Sequence, residues 1–399
     1  MNGSVRTFPR ENTTSDVVFV MSSCQRWIDD SRVFKQISAR FERNWDNESR
    51  EVPFVMLHMG DLHYRNIDEN EVEKFEKGYK DVVSRKEQRM VFGRMPVVYV
   101  YDDHDYGSSN AGRESPSRSA ALEAYRKVVP HWRLGSPDEG TPVYQALTIG
   151  RVRVVVTDLR SASVEGGNTT MGERQLRWFL DELREAGRYR VVVWVNTKPW
   201  IGKSDKGEDY WGGFAEERRT ISNFIAENKI DNLVVASGDA HAVMADDGTN
   251  SDYSDRGGAG MPVFHAAPIA NLGSAKGGPY SEGCRATVLA RNYQYGALTI
   301  RDRPDNDGPC VKYEGFRSGR SSDSTILEFE RCGRLGGVRG VEGGGQASRC
   351  SISLAPWWLW VVAVLIVLIF LFLIGFIITK CCLRKKRRMV VDDAGSHTD

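Results

Sequence analysis

Six short apolar runs constrain this chain more than any other feature, because each is rich in β-branched or aromatic residues and each ends at a polar residue. They are Val17 to Met21, Phe54 to His58, Val97 to Tyr101, Val152 to Thr157, Val191 to Val195 and Leu233 to Ser237. The residues that follow them are Cys24, Asp61, Asp102 with Asp103, Asp158, Asn196 and Asp239. Longer stretches with helical periodicity lie between, at Glu69 to Arg89, Ser117 to Val129, Gly172 to Ala186 and Phe214 to Asn228. The third carries Leu176, Phe179, Leu180 and Leu183 on one face, a stripe meant for a core. Strand and helix alternating in this way predict an α/β fold in layers. Ligands of such folds gather beyond the carboxyl ends of the strands, so one site built from distant segments is expected.

The segments after the strands have chemistry to match. In Gly60-Asp61-Leu62-His63-Tyr64, the glycine permits a tight turn that would present Asp61 from a strand tip, and Tyr64 follows at one-turn spacing. A phenolate is a hard anionic donor suited to ferric iron. Asp102-Asp103-His104-Asp105-Tyr106-Gly107 crowds acids around one histidine, an arrangement that is costly unless a cation offsets it. There Asp103 is a candidate ligand and His104 a candidate proton donor to a phosphoryl oxygen or leaving group. In Ser237-Gly238-Asp239-Ala240-His241, alternate residues of an extended tip bring Asp239 and His241 to the same side. Cys24 would add a thiolate. Taken singly, Cys24 also reads as an inert buried thiol, Tyr64 as packing, the Asp102 run as an exposed acidic turn and Arg160 as a surface salt bridge.

In order, SSCQ, GDLHY, DDHDYG, TDLRS and SGDAH resemble the PhoD-like alkaline phosphatases, a branch of the calcineurin-like metallophosphoesterases. The resemblance covers most of Val17 to about Ile300 and takes in MGERQLRWFLDEL and the NTKPW loop. It implies a four-layer αββα sandwich and a mixed centre of ferric iron with calcium or another divalent cation. Carried over residue by residue, Cys24, Asp61, Tyr64 and Asp239 resemble the iron ligands, with Asp61 bridging. Asp103 and His241 resemble second-metal contacts, and Arg160 in Asp158-Leu159-Arg160 resembles the arginine whose fork binds phosphate. The chain departs from the pattern at Ser109, where an amide ligand is expected unless Asn110 replaces it. A second departure is Ala242-Val243-Met244, where an acid often follows the Gly-Asp-x-His motif. Both weaken the case for the second cation.

Further along, Ala355 to Ile378 carries no charged residue and is long enough for one transmembrane helix. Trp357, Trp358 and Trp360 stand at one end, while Lys380, Arg384, Lys385, Lys386, Arg387 and Arg388 crowd the other. That asymmetry predicts a short cytoplasmic tail at 379–399 and an extracellular or lumenal catalytic domain at 15–316, after an N-terminal extension at 1–14. A Gly/Ser/Arg-rich stalk is expected at 317–354, with Ile326 to Phe329 as one last strand before it. No apolar signal-peptide core opens the sequence, so a missing first segment is expected. Sequons at Asn2, Asn12, Asn47 and Asn168 are compatible with a glycoprotein. Cys284, Cys310, Cys332 and Cys350 allow two disulfides in three pairings, and Cys381 with Cys382 suit palmitoylation.

These features add up to a membrane-tethered, metal-dependent hydrolase of phosphoric monoesters or diesters using metal-activated water. The competing expectation is an ectodomain that keeps the fold for binding a ligand or partner without catalysis. A formal net charge of +1 and no basic, aromatic-rich track argue against a nucleic-acid partner. Neither the substrate nor the oligomeric state is readable.

Overall fold

The computed structural model describes residues 8–26, 32–45, 55–164, 166–274, 276–287, 291–303, 308–338, 351–353 and 361–377, with side chains at 41–45, 282–287 and 351–353 outside the description. Asn2, Asn47, Cys350, the three tryptophans at 357–360 and the basic tail therefore lie outside it, while Asn12 and Asn168 are exposed. The chain divides into two compact units, Met1–Ser353 and Leu354–Asp399.

In the first unit the strands are β1 (Val17–Ser22), β2 (Val55–Met59), β3 (Val97–Val100), β4 (Gln145–Ile149), β5 (Val152–Val156), β6 (Val191–Asn196), β7 (Leu233–Ser237) and β8 (Val243–Asp246). They continue with β9 (Val263–Ala266), β10 (Asn271–Leu272), β11 (Glu282–Thr287), β12 (Arg291–Asn292), β13 (Gln294–Arg301), β14 (Cys310–Ser318), β15 (Asp323–Cys332) and β16 (Ser351–Ser353). The helices are α1 (Arg32–Trp45), α2 (Val72–Val83), α3 (Lys86–Phe92), α4 (Asp103–Tyr106), α5 (Arg118–Val128), α6 (Gly172–Arg184) and α7 (Ala215–Glu227). One sheet runs β15-β14-β13-β1-β2-β3 and the other β16-β11-β8-β9-β7-β6-β5-β4. Within the first, β1, β2 and β3 are parallel. Within the second, β5, β6, β7 and β9 are parallel.

Strand alternation divides the side chains among three cores. Phe19, Leu57, Val154, Val193, Ala236 and Tyr313 share the cluster between the two sheets. The opposite face of the first sheet sends Val20, Met56 and Tyr295 against Phe34 and Ile37 of α1. The opposite face of the second sends Val155, Trp194 and Val235 against Phe179 and Leu183 of α6 and Ile221 and Ile225 of α7. The result is a helix-sheet-sheet-helix sandwich, and each such buried side chain contributes roughly 1.5–3 kcal/mol of transfer free energy.

The stretch expected as one helix from Glu69 to Arg89 divides into α2 and α3 at Arg85, which is extended (φ −67°, ψ 142°). The two halves serve different cores, because Phe75, Tyr79 and Val82 face the space between the sheets and Val91 faces the outer cluster. The sheet also continues past the boundary expected at Phe316. β15 pairs with β14 from Ser318↔Asp323 to Cys310↔Cys332, and a disulfide joins the last pair. Leu335 is buried, and Val338 bridges to Gly260. Gly319 to Ser322 is the turn of that hairpin, closed by Gly319 N–H donating to Ser322 O at 2.8 Å. The polar composition read as a stalk is thus, up to Val338, an edge hairpin and its return.

In the second unit, residues 361–377 form a helix whose apolar side chains are exposed. Among the described residues, no helix is long and apolar enough to cross a membrane.

Candidate metal centre

The parallel strands of both sheets end at a common rim, and close backbone approach brings their tips together. Gly60 has φ +87°, and a Cβ there would lie 2.3 Å from that of Asp102. A Cβ on Gly238 would lie 2.6 Å from Met59 O, which seats the tip of β7 on that of β2. Cys24 N–H donates to Gly60 O at 3.3 Å and Gln25 N–H to Asp61 O at 2.8 Å, joining the β1 tip to the same turn.

Cys24, Asp61, Tyr64 and Asp239 all adopt left-handed backbone conformations, with φ of 58°, 58°, 53° and 71°. Each costs a non-glycine residue roughly 1–2 kcal/mol. Such conformations persist where surrounding bonds over-determine them. For Asp61 and Tyr64 the restraint is Asp105. Its Oδ2 accepts from Leu62 N–H at 2.6 Å and its Oδ1 from His63 N–H at 2.8 Å and Tyr64 N–H at 3.1 Å. Tyr99 adds its hydroxyl at 2.7 Å. Asp105, one of the acids that make the DDHDYG run look cation-binding, is a buried anchor for the turn.

Both carboxylate oxygens of Asp61 are buried without a hydrogen-bond partner. Burial first, then Asp103, Asp102, Asp105 and Asp239, holds its carboxyl well above the ordinary range. Burial followed by Asp61 and Asp239 pushes the Cys24 thiol up in the same way. The Tyr64 phenol is raised by burial, Asp61, Cys24 and Asp103, against an opposing hydrogen bond from Asn271. Burial and mutual repulsion keep these three donors protonated on their own, and a bound cation would reverse that, since ligation favours the deprotonated forms. A soft thiolate beside hard carboxylate and phenolate oxygens suits a metal of intermediate character, so these side chains fit an iron-type ion better than calcium or magnesium.

Oxygen and nitrogen atoms of Asp61, Asp103 and His104 lie within 4.8 Å of one another. The His104 ring stacks on Tyr64 at 3.9 Å, and its Nδ1 pairs with Asn66 Oδ1. It therefore stands beside the centre with Nε2 toward Asp103, 3.9 Å away. His241 donates from Nδ1 to Leu272 O at 2.8 Å, leaving Nε2 as the free donor atom. Burial and then Lys276 hold its pKa at about 4, so the ring is neutral, as a ligand must be.

Arg160 is fully buried. Its Nε donates to Asp102, its Nη1 lies 2.8 Å from Asp209, and its Nη2 lies 3.5 Å from Asp103 without a hydrogen bond. Most of the fork is thus spent on carboxylates, leaving Nη2 to face the centre. Lys198 Nζ joins Asp209 at 2.9 Å and lies 4.6 Å from the Phe214 ring centroid. Lys276 Nζ contacts both oxygens of Asp239, at 2.9 and 3.0 Å. Sequence reasoning did not single out Asp209, Lys198 or Lys276. Lys198 sits inside the NTKPW loop, which offered a signal, whereas Asp209 and Lys276 lie in loops with no motif. Beside Asp209 opens a cavity of about 380 Å³ lined by Ser109, Asn110, Ser163, Gly207 and Phe214.

Residues 19–298 match the family model of the PhoD-like phosphatases. That match spans more than half of the chain and every residue of the centre from Cys24 to Lys276, and the chain belongs to the PhoD-like phosphatase family. The family is one of phosphoester hydrolases that depend on metal. The solved structure of PhoD aligns with a TM-score of 0.53 at 16% identity, over 81% of this chain and 74% of that one, a likeness of fold. The structure of GAP50, the anchor in the inner membrane complex of Plasmodium, aligns with a TM-score of 0.47 at 12% identity, over 80% of this chain and 89% of that one. No curated protein matches.

Proposed function

We propose that this chain hydrolyses phosphoric esters at the joint rim of its sheets, with Cys24, Asp61, Tyr64 and Asp239 holding ferric iron. The observation that carries the reading is Asp61, buried and unpartnered, where left-handed Cys24, Tyr64 and Asp239 converge. A cation bound there supplies Lewis-acid charge to a phosphoryl oxygen. Arg160 presents Nη2 to the developing negative charge, its other nitrogens fixed by Asp102 and Asp209, so little reorganisation is needed. His104, held by Tyr64 and Asn66, is placed to deliver a proton to the leaving oxygen. The polar cavity beside Asp209 gives the alcohol portion a place to lie. Asp103 and His241 Nε2 are the remaining donors, the contacts for a second cation in this reading.

The layout we propose around this centre is a catalytic unit reaching Val338, then a linker, one membrane-spanning segment at 355–378 and a cytoplasmic tail. Its support is the uncharged run and the flanking tryptophans and basic residues in the sequence. Extraction of the full chain by detergent but not by carbonate tests the anchor; release by carbonate rules it out.

Elemental analysis and a visible spectrum of the full chain, with chromogenic phosphomonoester and phosphodiester assays, test the chemistry. Iron, a tyrosinate charge-transfer band and turnover are expected, and Asp61→Ala should lose all of them. A folded, metal-free, inactive protein would instead favour the non-catalytic ectodomain, and retained turnover in Asp61→Ala would exclude the proposed centre.

A further inference from the structure

We propose that the groove alongside β3 binds a free fatty carboxylate, its chain laid in the groove and its head held by the cations at the rim, Lys80 and Arg89; the phosphoesterase reading plays no part in this. The groove follows from the way the elements around it end. β3 closes its sheet and pairs with β2 on one side only. The break at Arg85 sends α2 to the inner core and α3 to the outer one, and α5 stops at Val128, just before Pro130. Between them lies a cavity of about 730 Å³, within the range of small-ligand sites.

The lining selects the ligand. Leu62, Tyr79, Met95 and Tyr99 form its buried wall, and the Tyr99 hydroxyl is spent on Asp105. Among the described residues of the first unit, three large apolar side chains are exposed, Val83, Val128 and Leu272, and the two valines both stand on this groove. The rest of its apolar surface is recessed. Such a slot suits a slender chain that enters it, whereas a protein or membrane partner is met by an apolar patch that stands outward. Three charged side chains line the groove. Glu76 is paired with Lys127, but Lys80 and Arg89 are exposed and have no ion pair or side-chain hydrogen bond among the described residues. Their stems cover apolar surface and carry charge to its edge. An apolar slot with two unspent cations is the complement of one acyl chain with one anionic head.

Photolabelling of the full chain, held in nanodiscs of zwitterionic phospholipid, tests the assignment. A diazirine-bearing palmitate should label peptides covering residues 76–99 and 128–130, and unlabelled palmitate should compete for them. Each methylene removed from a saturated carboxylate competitor should weaken it about two- to fourfold. Lys80→Glu combined with Arg89→Glu, both at exposed positions, should lower the labelling about tenfold. Label confined to 361–377, competition that ignores chain length, or a double variant labelled like wild type would each overturn the proposal. So would label at the groove from a diazirine-bearing phospholipid with none from palmitate, a result that would give the groove to the membrane. Should the double variant not fold, the position of the label and the chain-length series decide.

Discussion

Asp105→Asn should release the turn that carries Asp61 and Tyr64. The carboxylate accepts four hydrogen bonds, two at each oxygen, from the N–H groups of Leu62, His63 and Tyr64 and from the Tyr99 hydroxyl. Asparagine keeps one oxygen and turns an amino group toward the other pair. If the oxygen stays with His63 and Tyr64, the amino group meets Leu62 N–H donor to donor, and Tyr99 must rotate to accept. Hydrogen bonds to a charged group contribute about 1.5–3 kcal/mol each, so losing or reversing two removes about 3–6 kcal/mol. In a domain of this size that lowers the melting temperature by roughly 5–10 °C. The same bonds hold Asp61 and Tyr64 at positive φ, so metal should be lost before the fold is. Calorimetry together with iron content after gel filtration reads both effects. An Asp105→Asn protein with wild-type melting temperature and full iron content would refute the anchoring role and leave the left-handed turn without an account.

Arg160→Ala leaves Asp102 and Asp103 buried without their cation, and removing one partner of a buried pair costs about 3–5 kcal/mol, so a lower urea midpoint should accompany any loss of turnover. Lost turnover at unchanged stability would show that Arg160 acts on substrate alone. His58 gives a pH effect, because burial, only partly opposed by Asp105, holds its pKa at about 4 against the ordinary 6.5. The unfolded chain then takes up the proton first as pH falls. Its contribution is therefore complete above about pH 6.5 and lost as pH falls toward about 4, roughly 2 kcal/mol of it between pH 7 and 5. Urea midpoints at both pH values should diverge less in His58→Gln than in wild type; equal divergence would show that other groups carry the acid sensitivity.

The strands of the rim were legible because their signal is local. Val191–Asn196 and Leu233–Ser237 are valine-rich and apolar up to their last residue, and a strand buried on both faces needs little else to declare itself. The antiparallel half was not, since β13 and β14 mix Gln294, Arg301, Lys312 and Glu314 into their length, and their identity depends on pairing with β1 and each other. For β15 the strand expected at Ile326 to Phe329 was found, but Glu328, Glu330 and Arg331 alternate with apolar residues at a sheet edge, so its full length and its place in the catalytic unit did not show in composition.

The candidate site divides along the same physical line. Cys24, Asp61, Asp103 and Asp239 follow strands, and a strand end is visible in one dimension. What neutralises them is not. Arg160 reaches Asp102 across 58 positions and Lys276 reaches Asp239 across 37, contacts that exist only once two sheets have stacked. Motif reading therefore finds the anions of a centre and its arginine, but not the carboxylates on which Arg160 spends its fork, nor the Lys198 and Lys276 ammoniums beside them. Asp105 makes the converse point. It belongs to the same acidic run as Asp103, yet it faces three backbone N–H groups, and in sequence nothing separates an acid that binds a cation from one that holds the loop binding it.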